Sequence, residues 1–123
     1  MPNALGWKLD RDQRAELLRQ FPPRFPNVVA DHVTLESGTH PDAPLPPGAE
    51  AEIVGRADDG EGVEAMVVLL AGTTDRPDGS TYHITWSLAD GREAQESNAV
   101  IADRGWVEFD APTPVLVEPA RWP

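Results

Sequence analysis

Two short segments carry residue types able to do acid-base chemistry: His32-Val33-Thr34-Leu35 and His83-Ile84-Thr85-Trp86. In each, a histidine and a threonine stand two positions apart with an apolar residue between them. On a β-strand, alternate residues share a face at about 6.6–7 Å spacing. Each segment therefore predicts an imidazole and a hydroxyl on one face and a buried apolar residue on the other. Such a set suits a phosphate ester. One imidazole takes a proton from the attacking oxygen, and the other gives one to the leaving oxygen. Histidine titrates near neutrality and fills either role. Thr34 and Thr85 would hold the non-bridging oxygens where charge builds. The scheme requires no metal and no cofactor.

The pattern needs strands to present it, and the chain supplies them. Ser80–Leu88 is the clearest, with Tyr82, Ile84, Trp86 and Leu88 on one face and His83, Thr85 and Ser87 on the other. By that alternation Ser87 joins the candidate cleft. Asn27–Leu35 is β-branched and strand-like, ending near Gly38. Ala49–Arg56 reads as a strand with charged residues on its open side. Gly62–Ala71 is more continuously apolar and so a central strand. Asp10–Gln20 reads as a helix capped by Asp10 or Asp12, with Leu9, Leu17, Leu18 and Phe21 as its stripe and Pro22-Pro23 as its stop. Ser97–Asp103 reads as a short helix capped by Ser97. Trp106–Phe109 and Val115–Val117 are late strands separated by a Pro-X-Pro loop. The sum is five or six strands and one or two helices, an α+β arrangement.

The whole chain of 123 residues reads as one domain, 1–123. It has no cysteine, which excludes a disulfide framework and any thiolate nucleophile or ligand. Its start does not read as a signal peptide, and its longest apolar run, Ala65–Ala71, is too short to span a bilayer. A cytoplasmic location without membrane association is the resulting expectation. A formal charge of -11 opposes a long nucleic-acid backbone. A small substrate or a chain end fits better.

The repeated His-apolar-Thr-apolar signature resembles the two-histidine (2H) phosphoesterase superfamily. Its closest likeness is to the cyclic phosphodiesterase domain of fungal tRNA ligases, beside the 2'-5' RNA ligase-like proteins. There the second motif also looks like Tyr82-His83-Ile84-Thr85, followed after a turn by a pair such as Ser97-Asn98. The likeness runs from about Asn27 to Ile101, with only the two motifs specific. It implies a two-lobed fold of antiparallel strands around a central cleft, with outer helices. It implies His32 and His83 as the acid-base pair and Thr34 and Thr85 as phosphate-oxygen ligands. The implied activity is hydrolysis of a 2',3'-cyclic phosphate of a nucleotide or RNA end, to a 2'-phosphate. Two departures stand out: the motifs lie only 51 positions apart, and no basic groove accompanies them.

Other residues invite a role. Ser97 and Asn98 are a helix cap first and a substrate contact second. Arg76 and Arg104 are attractive in a chain with few cations, but no pattern places them. Trp7, Trp106 and Trp122 have faces on which a base could stack. His40 lies in a proline-rich loop, and no metal-ligand spacing joins it to the other histidines. Two other functions compete: a non-catalytic phosphate-binding module of the same fold, and an acidic protein-interaction domain using the Pro41–Pro47 loop. Protein partners are not specified by the sequence.

Overall fold

A computed structural model describes residues 3–123. In chain order the elements are β1 (Asn3–Leu9), α1 (Arg11–Gln20), β2 (Asn27–Val28), β3 (His32–Thr39), β4 (Ala51–Asp58), β5 (Val63–Leu70), β6 (His83–Leu88), α2 (Glu96–Arg104), β7 (Val107–Val115) and β8 (Val117–Trp122). The strands form two antiparallel sheets, ordered β3-β1-β8 and β2-β6-β5-β4-β7. The fold is α+β. No helix among the described residues is long and apolar enough to cross a membrane.

One core lies between the sheets. Trp7 and Leu9 of β1 and Val33 of β3 pack with Ile53, Met66, Val68, Ile84 and Trp86 of the larger sheet, and Leu17 of α1 joins them. A second cluster fills the other face of that sheet, where Ala57, Val63, Ala65 and Val67 meet Val100 and Ile101 of α2. β5 is thus buried on both faces and central, as its unbroken apolar run predicts. α1 starts as expected: the Asp10 carboxylate accepts the Gln13 amide at 2.9 Å.

Several expectations are corrected. β1 was not foreseen, although Leu5, Trp7 and Leu9 alternate inward with a period of two. Leu9 belongs to that strand and not to the helical stripe. Second, the segment Asn27–Leu35 is not one strand. It runs beside β6 as far as Ala30, whose amide donates to the Thr85 carbonyl, and then turns into the other sheet. Ala30 takes a left-handed φ of 41° at the turn, and the Arg14 guanidinium donates to the Val29 and Ala30 carbonyls at 3.0 and 2.8 Å. Third, Pro112 and Pro114 do not separate two strands. They sit within β7, an edge strand, where a missing amide costs no ladder bond. Fourth, Gln95 stands at the N-cap position of α2 without a side-chain cap bond, and Ser97 lies inside the first turn, buried. Among the described residues the strands number eight rather than five or six.

Gly6 lets β1 and β3 approach. A Cβ there would collide with the Val33 carbonyl oxygen and would touch the Trp122 ring. Gly6→Ala is expected to destabilise the fold by about 1–3 kcal/mol through overpacking. A lower denaturant midpoint with an unchanged slope would register it.

Candidate active site

A cleft of about 450 Å³ opens between the first sheet and β6. His32 and Thr34 of β3 line it, as do His83 and Thr85 of β6. The turn at Ala30 and Asp31 makes this possible. It moves the chain from the edge of β6 into the opposite sheet, so that His32 opens β3 as His83 opens β6. Val33 and Ile84, the intervening residues, are both fully buried.

The two imidazoles have different surroundings. His83 is buried, and its Nδ1 lies 2.9 Å from the Thr81 carbonyl oxygen. A carbonyl can only accept, so Nδ1 carries the proton and Nε2 of the neutral ring keeps a free lone pair. Burial pushes the His83 pKa down. The Thr81 carbonyl opposes this, but the charges of Arg76 and His32 add to the downward shift.

His32 keeps 27 % of its side chain exposed, and its Nδ1 meets a carboxylate, Asp31 Oδ2, at 2.9 Å. Burial alone would raise the Asp31 carboxyl. Hydrogen bonds from His32 and Arg11, with the charge of Lys8, bring it below its ordinary value. An ionised Asp31 orients the His32 ring and offers a counter-charge to its protonated form. The Trp122 ring packs on His32, with centroids 4.3 Å apart.

Thr85 shares a 2.9 Å hydrogen bond with the Ser97 hydroxyl and donates to the Ala94 carbonyl at 3.2 Å. A hydroxyl has one proton, so in this arrangement Ser97 donates to Thr85. A ligand oxygen would compete with Ala94 for the Thr85 proton. Ser97 itself does not line the cleft, whereas Asn98 does.

Ser87 is separated from its expected partners. Ala65 pairs with Thr85 and the adjacent Glu64 with Ser87, so Trp86 is an extra residue on β6. This bulge breaks the alternation. Ser87 consequently donates to the buried Glu64 carboxylate at 2.6 Å and lies outside the cleft lining. Leu88 likewise leaves the face of Ile84 and Trp86 for the α2 cluster.

Arg76 is the cation that pattern alone could not place. It is 9 % exposed and lines the cleft. Its guanidinium bonds the Thr34 carbonyl at 3.4 Å, the Asn98 side chain at 3.2 Å and both Asp78 oxygens at 3.2 Å each. The usable signal was its hairpin: Arg76 and Thr74 pair with Ser80 and Tyr82, which lead into β6. Of Trp7, Trp106 and Trp122, the last reaches the cleft. His40 is exposed in its loop and lies outside the cleft lining. Among the described residues no group of three or more His, Cys, Asp or Glu side chains is arranged around a metal-sized space.

The chain matches no protein-family model, no curated protein and no solved structure. The functional reading therefore rests on the cleft.

The His83 shift has a consequence for stability. Its folded-state pKa lies below the unfolded value of 6.5. The native state therefore resists protonation, and the unfolded state binds more protons as the pH falls. Stability is expected to be unaffected by this group above pH 6.5, and to decline from there through the folded pKa. His83→Gln should flatten that part of the curve in chemical denaturation across pH.

Proposed function

We propose that the cleft is the active site of a metal-independent phosphodiesterase that opens a 2',3'-cyclic phosphate on a nucleotide or RNA end and releases a 2'-phosphate. The observation that carries this reading is the convergence of two imidazoles, two threonines and one buried arginine on one cleft. The finer fold reading belongs with it: two lobes, each contributing one His-apolar-Thr strand, as in the 2H superfamily.

The environments of the rings support a division of labour. His83, kept neutral by burial and holding its proton on Nδ1, presents Nε2 as the base that takes a proton from water. The resulting hydroxide attacks phosphorus. The bond from phosphorus to the ribose 3'-oxygen breaks, and His32 Nε2 gives its proton to that oxygen. Asp31 holds the His32 ring in place throughout. Negative charge grows on the non-bridging oxygens as water attacks. Arg76, Thr34 and Thr85 are the groups available to meet it. The acidic surface favours a mononucleotide or a chain end over a long RNA.

The test is incubation of purified, EDTA-treated protein with each nucleoside 2',3'-cyclic monophosphate and with a short cyclic-ended RNA. Chromatography should show a 2'-monophosphate product. Saturable binding without product would instead make the cleft a binding module. Absence of both would leave the acidic interaction domain as the better reading.

A further inference from the structure

The distribution of charge about Arg76 bears on which phosphates the cleft accepts. Asp78, which does not line the cleft, grips the guanidinium through Nε and Nη2, both at 3.2 Å. It lines an adjoining groove with Leu35, Glu36 and Ser37. The carboxylate does not move freely, because the Ser80 amide donates to it at 2.9 Å and the Ser80 hydroxyl donates to it as well. Those Ser80 bonds and then the Arg76 bond hold its pKa down to about 2, so it is ionised at any working pH.

The neighbouring cations are also paired. Lys8 and Arg11 both face Asp31, at 3.8 and 2.8 Å. Glu93 lines the cleft itself and has no cation in its lining other than Arg76. Neither Lys8 nor Arg11 lines the cleft, and the chain as a whole carries a large negative excess. A ligand with one negative charge meets a guanidinium and an imidazole that can be protonated. A second negative charge meets Glu93 in the lining, with Asp78 and Glu36 in the adjoining groove, and no Lys or Arg besides Arg76 lines the cleft to answer it.

We infer that Asp78 and Glu93 form a charge filter, and that the ligand of this cleft is a phosphodiester with a single negative charge and no further anionic group. This rests on the phosphodiesterase reading and narrows its substrate class. It also supplies a route for release. Addition of water to the cyclic diester yields a monoester whose second ionisation falls near pH 6. Above that pH the product is doubly charged and is disfavoured by the same carboxylates. A nucleotide bearing a 5'-phosphate is disfavoured on the same ground, and of the two substrates proposed above the mononucleotide is preferred over the RNA end.

The test is calorimetric binding at mildly alkaline pH and low salt, supplemented by competition where turnover occurs. The probes are adenosine 2',3'-cyclic phosphate, adenosine 2'-monophosphate and the 5'-phosphorylated form of the cyclic compound. The wild-type protein should bind the first at least about tenfold more tightly than either of the others. Asp78→Asn keeps an oxygen for the Ser80 amide and should narrow that preference by about tenfold. Glu93→Gln, which lies apart from the Ser80 turn, should narrow it independently and decides the matter if Asp78→Asn loses its fold. The preference without turnover would sink the phosphodiesterase reading and leave the filter standing. Turnover with equal affinity for the monoester would overturn the filter and leave the reading. A preference unchanged in both folded variants, or no binding of any probe, also overturns the filter.

Discussion

His32→Ala and His83→Ala are each expected to lower kcat for a 2',3'-cyclic nucleotide by about 10²- to 10⁴-fold, the usual contribution of a positioned proton donor or acceptor. The two losses should not add. Both rings act in one displacement, so the double variant is expected to fall little below the weaker single variant. The variants also differ in how they must be controlled. His32 is partly exposed and pairs with Lys8 through its backbone, so its side chain is expected to be removable without loss of the β1–β3 register. His83 is buried against the Thr81 carbonyl, so alanine leaves a small void and an unpaired acceptor, costing about 1–3 kcal/mol. Circular dichroism and a denaturation midpoint separate that cost from the catalytic loss. Asp31→Asn gives a graded version. It keeps the size of the His32 partner and removes its charge, and kcat is expected to drop about 10- to 100-fold with KM nearly unchanged.

Arg76→Ala is expected to lower kcat/KM by about 10²- to 10³-fold, on the scale of losing one strong donor to developing charge. Two features raise the cost. The guanidinium is buried at the cleft wall, where its charge is less screened than at an open surface. It also ties the Thr34 carbonyl of β3 to the Asn98 side chain of α2, so its loss loosens the two sides of the cleft together. Arg76→Lys should recover only part of the activity. An ammonium restores the charge but cannot span Asp78 and Asn98 as the planar fork does. Steady-state kinetics of both variants check this. Equal activity in Arg76→Ala and wild type would remove arginine from the account.

The parts legible in the sequence were those governed by a local period. The apolar run of β5, the alternation Tyr82-Ile84-Trp86 and the inward Val33 and Ile84 follow from strand geometry, and the structure carries them. β1 was also legible in principle, through Leu5, Trp7 and Leu9. Gly6 weakened it as a strand, and Leu9 was absorbed by the helix beside it.

The remaining features are set by distant groups. Ala30 adopts its left-handed turn where Arg14 and β6 hold the backbone, and the residue with positive φ is an alanine rather than the glycine or asparagine that would mark it. The bulge at Trp86 is a matter of pairing with β5, so strict alternation misassigned Ser87. Ser97 has the residue type of a helix cap, yet it is used as the buried partner of Thr85. Arg76 reaches Thr34 and Asn98, which lie 42 and 22 positions away, and no spacing within a motif reports such a contact.

The central claim is that His32 and His83 move protons at one cyclic phosphate. Phosphorus NMR tests it most directly, with EDTA-treated wild-type protein, His32→Ala and His83→Ala followed side by side on adenosine 2',3'-cyclic phosphate. The account predicts that the cyclic-ester resonance gives way to a single 2'-monoester resonance with the wild-type protein alone. An unchanged cyclic resonance with the wild type, or conversion at the wild-type rate by either folded variant, would contradict it.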